Sequence, residues 1–310
     1  MDIVWLLIGL ALLIVSGDYL VKGAVGIAER FKISPLVIGM TVISFGTSAP
    51  ELFVSVGAAL SGSPDIAIGN VIGSNIANIA MVLAITILIF PMVVERNSKI
   101  IDWPMMMMSS ILFYVFALNG EINQIEGVIM VTILAVFTIL LIRNSRKLNL
   151  KLDDDIDGAP SNFPLTMLFL IGGLIGLKIG ADFLLDGAVG IAKSFGMTEK
   201  VIGVTIVAFG TSVPELVASG VAAFRKQTDI SLGNLIGSNL FNILIVIGIT
   251  AIITPISVTQ SALDFDMLWM LGISLALYPM MFIGKKMGRI HGGILLAAYI
   301  SYIAICLNSI

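Results

Sequence analysis

The chain has 310 residues, 58% hydrophobic and only 12% charged, with a formal net charge of -3 and a mean hydropathy of +1.06. A soluble globular protein carries roughly a quarter charged residues, so that class is excluded. The small net charge says little about partners, and no nucleic-acid partner is expected; a single cysteine, Cys306, leaves no disulfide framework and no metal-thiolate cluster within the chain.

The amino terminus reads Met-Asp-Ile without a basic flank, so its apolar run is a first membrane helix rather than a cleavable signal. Runs of about 20 apolar residues, the length that crosses a bilayer, then follow one another. They predict ten spans: 3–27, 34–60, 66–92, 100–118, 124–143, 164–187, 198–224, 229–253, 264–283 and 289–308. The fold class is therefore all-α and polytopic. The long polar connection "RNSRKLNLKLDDDIDGAPSNFP" divides the spans into two sets of five, giving units 1–143 and 164–310 joined by a linker at 144–163. Within it, Asp153 to Gly158 matches half of an EF-hand loop, but position twelve is Pro164 where a bidentate Glu belongs. It reads as a solvated linker. His291, beside "GKKMGRIHGG", reads as a solvated loop residue. Lysines and arginines crowd alternate loops (Arg30, Lys32, Arg96, Lys99, Arg143, Arg146, Lys147, Lys151, Arg225, Lys226, Lys285, Lys286, Arg289), while the opposite side has Lys193 and Lys200 and little else. By the positive-inside rule those loops and the linker are cytoplasmic, and both termini face outward.

The chain also repeats itself. A shift of 164 residues lays "DYLVKGAVGIAERF" on "DFLLDGAVGIAKSF", "GTSAPELFVS" on "GTSVPELVAS" and "DIAIGNVIGSNIANI" on "DISLGNLIGSNLFNI". Roughly half the positions from 17 to 82 are identical to their counterparts. With five spans per half, the second half enters the membrane from the opposite side. Inverted repeats with interrupted helices belong to secondary transporters, whose site lies between the halves.

The repeated motifs indicate what such a site holds. Pro50 and Pro214 should break spans 2 and 7. Ser48 with Glu51 three residues on reads as a capping box, so a kinked helix with an ordinary restart accounts for the pattern. In a bilayer that is insufficient, because an ionised Glu at the midplane costs about 2.5–3.5 kcal/mol and persists only with a partner or a task. Carboxylates, hydroxyls and unwound carbonyls are hard ligands, suited to calcium or sodium. In "GNVIGSNIAN", Asn70, Ser74 and Asn78 share a helical face, as do Asn234, Ser238 and Asn242. Ser74, Asn78, Ser238 and Asn242 read as ligands, whereas Asn70 and Asn234 are either ligands or interhelical glue. Gly69, Gly73, Gly233 and Gly237 admit close backbone approach. Glu51 and Glu215 carry two negative charges, matched by one divalent or two or more monovalent cations. Binding one set excludes the other, and protons compete for an ion-free carboxylate pair.

At these residues the chain resembles the cation/calcium exchanger superfamily, whose two α-repeats carry G-T-S-x-P-E and G-N-x-x-G-S-N-x-x-[ND], and most of all its prokaryotic sodium/calcium branch. The resemblance implies ten helices, with spans 2, 3, 7 and 8 around the ions and spans 1 and 6 sliding against them to alternate access. It implies Ca2+ and Na+ as cargo, in the cell membrane, with no cofactor, no enzymatic activity and no obligate protein partner. Calcium ligands would be Glu51 and Glu215 with the carbonyls of Thr47 and Thr211. Sodium would use Ser48, Ser74, Ser212 and Ser238 with the carbonyls of Ser44 and Ala208, and Asn78 would sit at the centre. Position 242 departs, since the family often has Asp there and this chain has Asn242.

A calcium/proton antiporter is the nearest rival, and the hydroxyls of both "GTS" segments favour sodium because a proton needs no such oxygens. A passive channel lacks a filter ring, and an intramembrane protease lacks a catalytic carboxyl pair or a Ser–His pair. Asp18 and Asp182, repeat-related acids near Lys22 and Lys178, either line an ion path or pair with their neighbours. The run Met105 to Met108 reads as flexible apolar filling.

Overall fold

A computed structural model describes residues 1–147, 160, 162–197, 208–283 and 286–308. Most of the linker, with its half EF-hand, and residues 198–207 at the start of the seventh predicted span lie outside the described residues. The rest is almost wholly helical. In chain order the helices are α1 (Asp2–Phe31), α2 (Pro35–Thr47), α3 (Ala49–Leu60), α4 (Pro64–Ile89), α5 (Ser98–Ala117) and α6 (Gln124–Ser145). Next come α7 (Phe163–Ser194), the short α8 (Ala208–Thr211) and α9 (Val213–Phe224). The series ends with α10 (Thr228–Ile253), α11 (Ala262–Phe282) and α12 (Arg289–Leu307). Eight of these are long and apolar enough to cross a membrane, and α2 with α3 makes a further span bent by 43°. For the seventh predicted span only α8 and α9 are described, so the described residues hold nine such spans rather than ten.

Two strands, β1 (Glu121–Ile122) and β2 (Ile256–Ser257), pair antiparallel. They bring the α5–α6 and α10–α11 connections to one end of the bundle. A bridge between Met92 and Met287 joins the α4–α5 and α11–α12 connections. Ser145 Oγ, near the end of α6, accepts from Ser34 N at 2.7 Å beside the α1–α2 turn.

Helix ends follow ordinary chemistry. Ser34 caps α2, its side chain accepting from Val37 N at 3.3 Å, with Pro35 next. Asn162 caps α7 through Leu165 N at 2.9 Å. Lys32 ends α1 in the left-handed region at φ 54°. The two longest helices, α1 and α7, lie against each other along much of their length. A Cβ on Gly173 would stand 2.7 Å from Leu20 N, so only glycine permits that approach.

The centre of the bundle is α2, α3, α4, α9 and α10. α4 and α10 are buried almost throughout, with Ile72, Ile76, Leu83, Leu235, Ile243 and Ile247 among the core side chains. Each is locally underwound into a π turn at the same motif residue, over Asn78–Leu83 and Asn242–Ile247. Such bulges are frequent at functional sites. The α3 segment packs on the π turn of α10, and α9 packs on the π turn of α4, a reciprocal crossing. α5 and α11 both begin with π turns, Ser98–Asp102 and Ala262–Asp266, related by the same 164-residue shift.

His291 sits in the first turn of α12, where its Nδ1 accepts from Gly288 N at 3.1 Å, so it is a cap and not a solvated loop residue. The methionine run lies on α5, with Met106 fully buried in the core and Met108 exposed, as apolar filling requires.

Candidate functional site

The break expected at Pro50 falls at Ser48, whose φ and ψ of -87° and 0° leave the helix between α2 and α3. Ser212 has nearly the same angles, -91° and 3°, between α8 and α9. Pro50 and Pro214 occupy the first turns of α3 and α9, where their missing N–H is harmless. Neither serine makes a side-chain cap bond, which corrects the capping-box reading. Ser48 Oγ and Ser212 Oγ are buried and have no partner at all. Hydroxyls at helix starts ordinarily satisfy backbone donors, so here both are left to something else.

Glu51 and Glu215 stand one turn further on, 2% and 1% exposed. Each carboxylate leans on its own backbone N–H, while Oε2 of each is buried and partnerless. Thr47 is within hydrogen-bonding reach of the Glu215 carboxylate, and Glu51 is close enough to act on it electrostatically. No lysine or arginine is paired with either glutamate among the described residues. Two acidic groups thus face each other in a low dielectric without a counter-charge, an arrangement that calls for a cation.

Oxygen donors surround them. Ser44, Thr47, Ser74, Asn78, Ser238 and Asn242 are all buried. Thr47 Oγ1 lies 3.4 Å from Ser238 Oγ and 3.4 Å from Asn234 Oδ1, stitching α2 to α10. Ser44 O accepts from Ser48 N at 2.9 Å and from Thr47 Oγ1 at 3.4 Å. In the second half Ser212 N reaches Phe209 O at 3.1 Å. Asn78 gives its Nδ2 to Asn239 Oδ1 at 3.1 Å and leaves Oδ1 open. Neither polar atom of Asn242 has a partner. Among the described residues no three His, Cys, Asp or Glu side chains gather as a metal cluster. The donors are two carboxylates with hydroxyl, amide and carbonyl oxygens, a set matched to hard cations. Ser98, Asp102, Ser231 and Thr250 also have unpartnered buried atoms. A groove of about 480 Å³ between α11 and α12, lined by Phe265, Trp269 and Leu295, is apolar and apart from this centre.

Asn70 and Asn234 act as glue through their amide nitrogens. Asn70 Nδ2 donates to Ser55 Oγ at 3.0 Å and to Glu51 O at 3.3 Å, and Asn234 Nδ2 donates to Ser219 Oγ at 3.0 Å. Asn70→Ala should therefore lower stability by about 1–2 kcal/mol in thermal unfolding and leave half-saturating Ca2+ unchanged. An affinity loss without a stability loss would make Asn70 a ligand instead. Asp18 pairs with Lys22 at 2.8 Å and with Arg225 across helices, and Asp182 pairs with Lys178 at 2.7 Å. Both acids are ion-paired. Asn75 and Asn239 escaped the sequence reading, because they lie one position off the face that carries Ser74 and Asn78. Their amide nitrogens reach methionine sulfurs, Asn75 to Met270 at 3.7 Å and Asn239 to Met106 at 3.6 Å, contacts that no local spacing discloses.

Fold and site together define a multi-pass helical membrane protein with a buried, oxygen-lined, doubly acidic centre. The chain belongs to the sodium/calcium exchanger protein family, whose model matches residues 1–143 and 165–308. It is similar to the putative antiporter CaxA of Alkalimonas amylolytica, at 38% identity over 307 residues and 96% of each chain. It is also similar to the sodium/calcium exchanger MaX1 of Methanosarcina acetivorans, at 32% identity over 341 residues and 97% of each chain. A solved structure of the sodium-calcium exchanger NCX_Mj, soaked with zero Na+ and Ca2+, matches with a TM-score of 0.85, 34% identity and 98% of each chain covered. The family is one of transporters, not of enzymes.

Proposed function

We propose that the protein is a secondary active antiporter that exchanges Na+ for Ca2+ across the cell membrane by alternating access. The observation that carries this is the pair Glu51 and Glu215, buried, unpaired by any lysine or arginine among the described residues, and set with Ser48, Ser212, Asn78 and Asn242, whose side-chain oxygens have no other partner. Ca2+ is held by both glutamates with the carbonyls of Thr47 and Thr211. Na+ ions take the hydroxyls of Ser48, Ser74, Ser212 and Ser238 with the carbonyls of Ser44 and Ala208, and Asn78 and Asn242 complete the centre. Because the same carboxylates neutralise either one divalent or several monovalent ions, occupancy by one species expels the other. With Asn242 in place of an acid, the formal charge of the glutamate pair stays at two.

The ten-span inverted repeat, in two units at 1–143 and 164–310, supports alternation. The recurring break at Ser48 and Ser212 and the recurring π turns at Asn78 and Asn242 favour it. In this reading both termini lie outside and the 144–163 linker lies in the cytoplasm.

The test is radioactive Ca2+ uptake into proteoliposomes loaded with Na+ and diluted into Na+-free buffer at matched pH. Uptake that requires the outward Na+ gradient is expected. Uptake that follows an imposed pH gradient and ignores Na+ would replace this reading with Ca2+/H+ antiport.

A further inference from the structure

Two asparagines beside the site behave differently in the two halves of the chain. Asn78 Nδ2 donates to Asn239 Oδ1 at 3.1 Å. Asn239 is itself held, its Nδ2 directed to Asn75 O at 3.5 Å and Met106 Sδ at 3.6 Å. The 164-residue shift carries Asn78 to Asn242 and Asn75 to Asn239. The counterpart of the observed bond is thus Asn242 Nδ2 to Asn75 Oδ1. That bond is absent, and those two atoms are both buried and without partners. Asn75 nonetheless makes the counterpart of the sulfur contact, Nδ2 to Met270 Sδ at 3.7 Å. A free donor and a free acceptor therefore remain in the half where the amide bond is missing, on residues whose equivalents are joined in the other half.

Building on the exchange reading above, we propose that Asn75 and Asn239 are positioning residues that clamp the two central amides in alternation. A clamped amide has its N–H2 end anchored through one of its two donors, which fixes the side chain and leaves its carbonyl oxygen aimed for a cation. Asn78 is in that condition, with Oδ1 open. An unclamped amide still has its N–H2 to place and is a poorer ligand. In the repeat-exchanged arrangement Asn75 takes the donor of Asn242, turns that residue's Oδ1 to the ion, and Asn78 is released. The second clamp depends on the amide at position 242, because an ionised aspartate there has no hydrogen to give to Asn75. The outer partners of metal ligands are typically worth 10–100-fold in affinity, so alternation would give the site different Ca2+ affinities on the two faces of the membrane.

The experiment uses the full chain in proteoliposomes, with half-saturating Ca2+ measured separately from each face. Asn239→Leu is expected to raise it about tenfold from one face, and Asn75→Leu about tenfold from the opposite face. In an Asn242→Asp background, Asn75→Leu should add nothing. Equal effects from both faces, silence of both variants, or an Asn75→Leu effect undiminished by Asn242→Asp would overturn the proposal. Should wild-type vesicles take up no Ca2+, the exchange reading fails, and melting of the purified protein decides the clamp by itself. Asn78→Leu and Asn239→Leu losses that add in full would overturn it, and a double variant no worse than the weaker single would support it.

Discussion

Glu51→Gln and Glu215→Gln should each abolish measurable Na+-driven Ca2+ uptake. Both carboxylates are at most 2% exposed and have no cationic partner among the described residues, so in the proposed exchanger the bound ion balances their charge. Breaking a buried charge pair by removing one member costs about 3–5 kcal/mol. At about 1.4 kcal/mol per tenfold that is roughly two to three and a half orders of magnitude in Ca2+ affinity. Stability should move the other way or not at all. In the ion-free protein the neutral amide replaces a carboxylate whose Oε2 has no partner, so the variants should melt no lower than wild type. The wild type should gain about 2.7 kcal/mol at a free Ca2+ concentration one hundred times Kd, and both variants should lose that gain. Thermal unfolding with and without Ca2+ measures both quantities. A variant that melts well below wild type without Ca2+ would show a structural role for the carboxylate and would weaken the assignment of an ion site.

The centre was legible in the sequence because its chemistry conflicts with its surroundings. A glutamate and a proline inside an apolar run, repeated at a constant shift, have no cheap explanation in a bilayer. What lay beyond the sequence was how the neighbouring groups would be used. Ser48 and Glu51 match a capping box letter for letter, yet the serine oxygen makes no cap bond. The pattern records which residues can cap, and the break geometry decides whether they do. The pairing of Asp18 with Arg225 joins residues 207 positions apart and could not be read from Lys22, the charged neighbour in sequence. The Asn78–Asn239 bond likewise depends on how α4 crosses α10. Helix ends were misjudged for a simpler reason. Apolar runs measure the hydrocarbon thickness, while α1 and α7 continue into their polar ends, to Phe31 and Ser194, because a helix does not stop where the lipid does. His291 was misread for a different reason: the predicted span 289–308 already contained it, but the basic, glycine-rich flank suggested a loop where the backbone belongs to α12.

Gly237→Ala should be among the most damaging single-methyl additions in the protein, although no glycine at that position touches an ion. α10 crosses α2 at backbone contact. A Cβ on Gly237 would fall 2.6 Å from both the Cα and the carbonyl oxygen of Met40, and one on Gly233 would fall 2.5 Å from Leu36 O. From the facing side, a Cβ on Gly39 would meet Ile230 O at 2.6 Å. The Ser44 hydroxyl also stands in the way of a Cβ on Gly237 and could turn aside, but the Met40, Leu36 and Ile230 atoms are backbone, so no rotamer change relieves the clash and the helices must separate. Overpacking of this kind costs about 1–3 kcal/mol where a core can adjust and more where it cannot. Separation would also break the bonds that cross this seam, Ser44 Oγ to Asn234 O at 2.9 Å and the contact of Thr47 with Ser238. A loss of about 3 kcal/mol or more is therefore expected in thermal unfolding, accompanied by loss of transport. Gly172→Ala is the control: that glycine sits on the exposed face of α7 with nothing within 4 Å among the described residues, and its substitution should leave both readouts unchanged. If Gly237→Ala melts like wild type but transports poorly, the seam moves during the cycle rather than holding the fold. If it does neither harm, the close approach of α2 and α10 is not what fixes Thr47 beside Glu215.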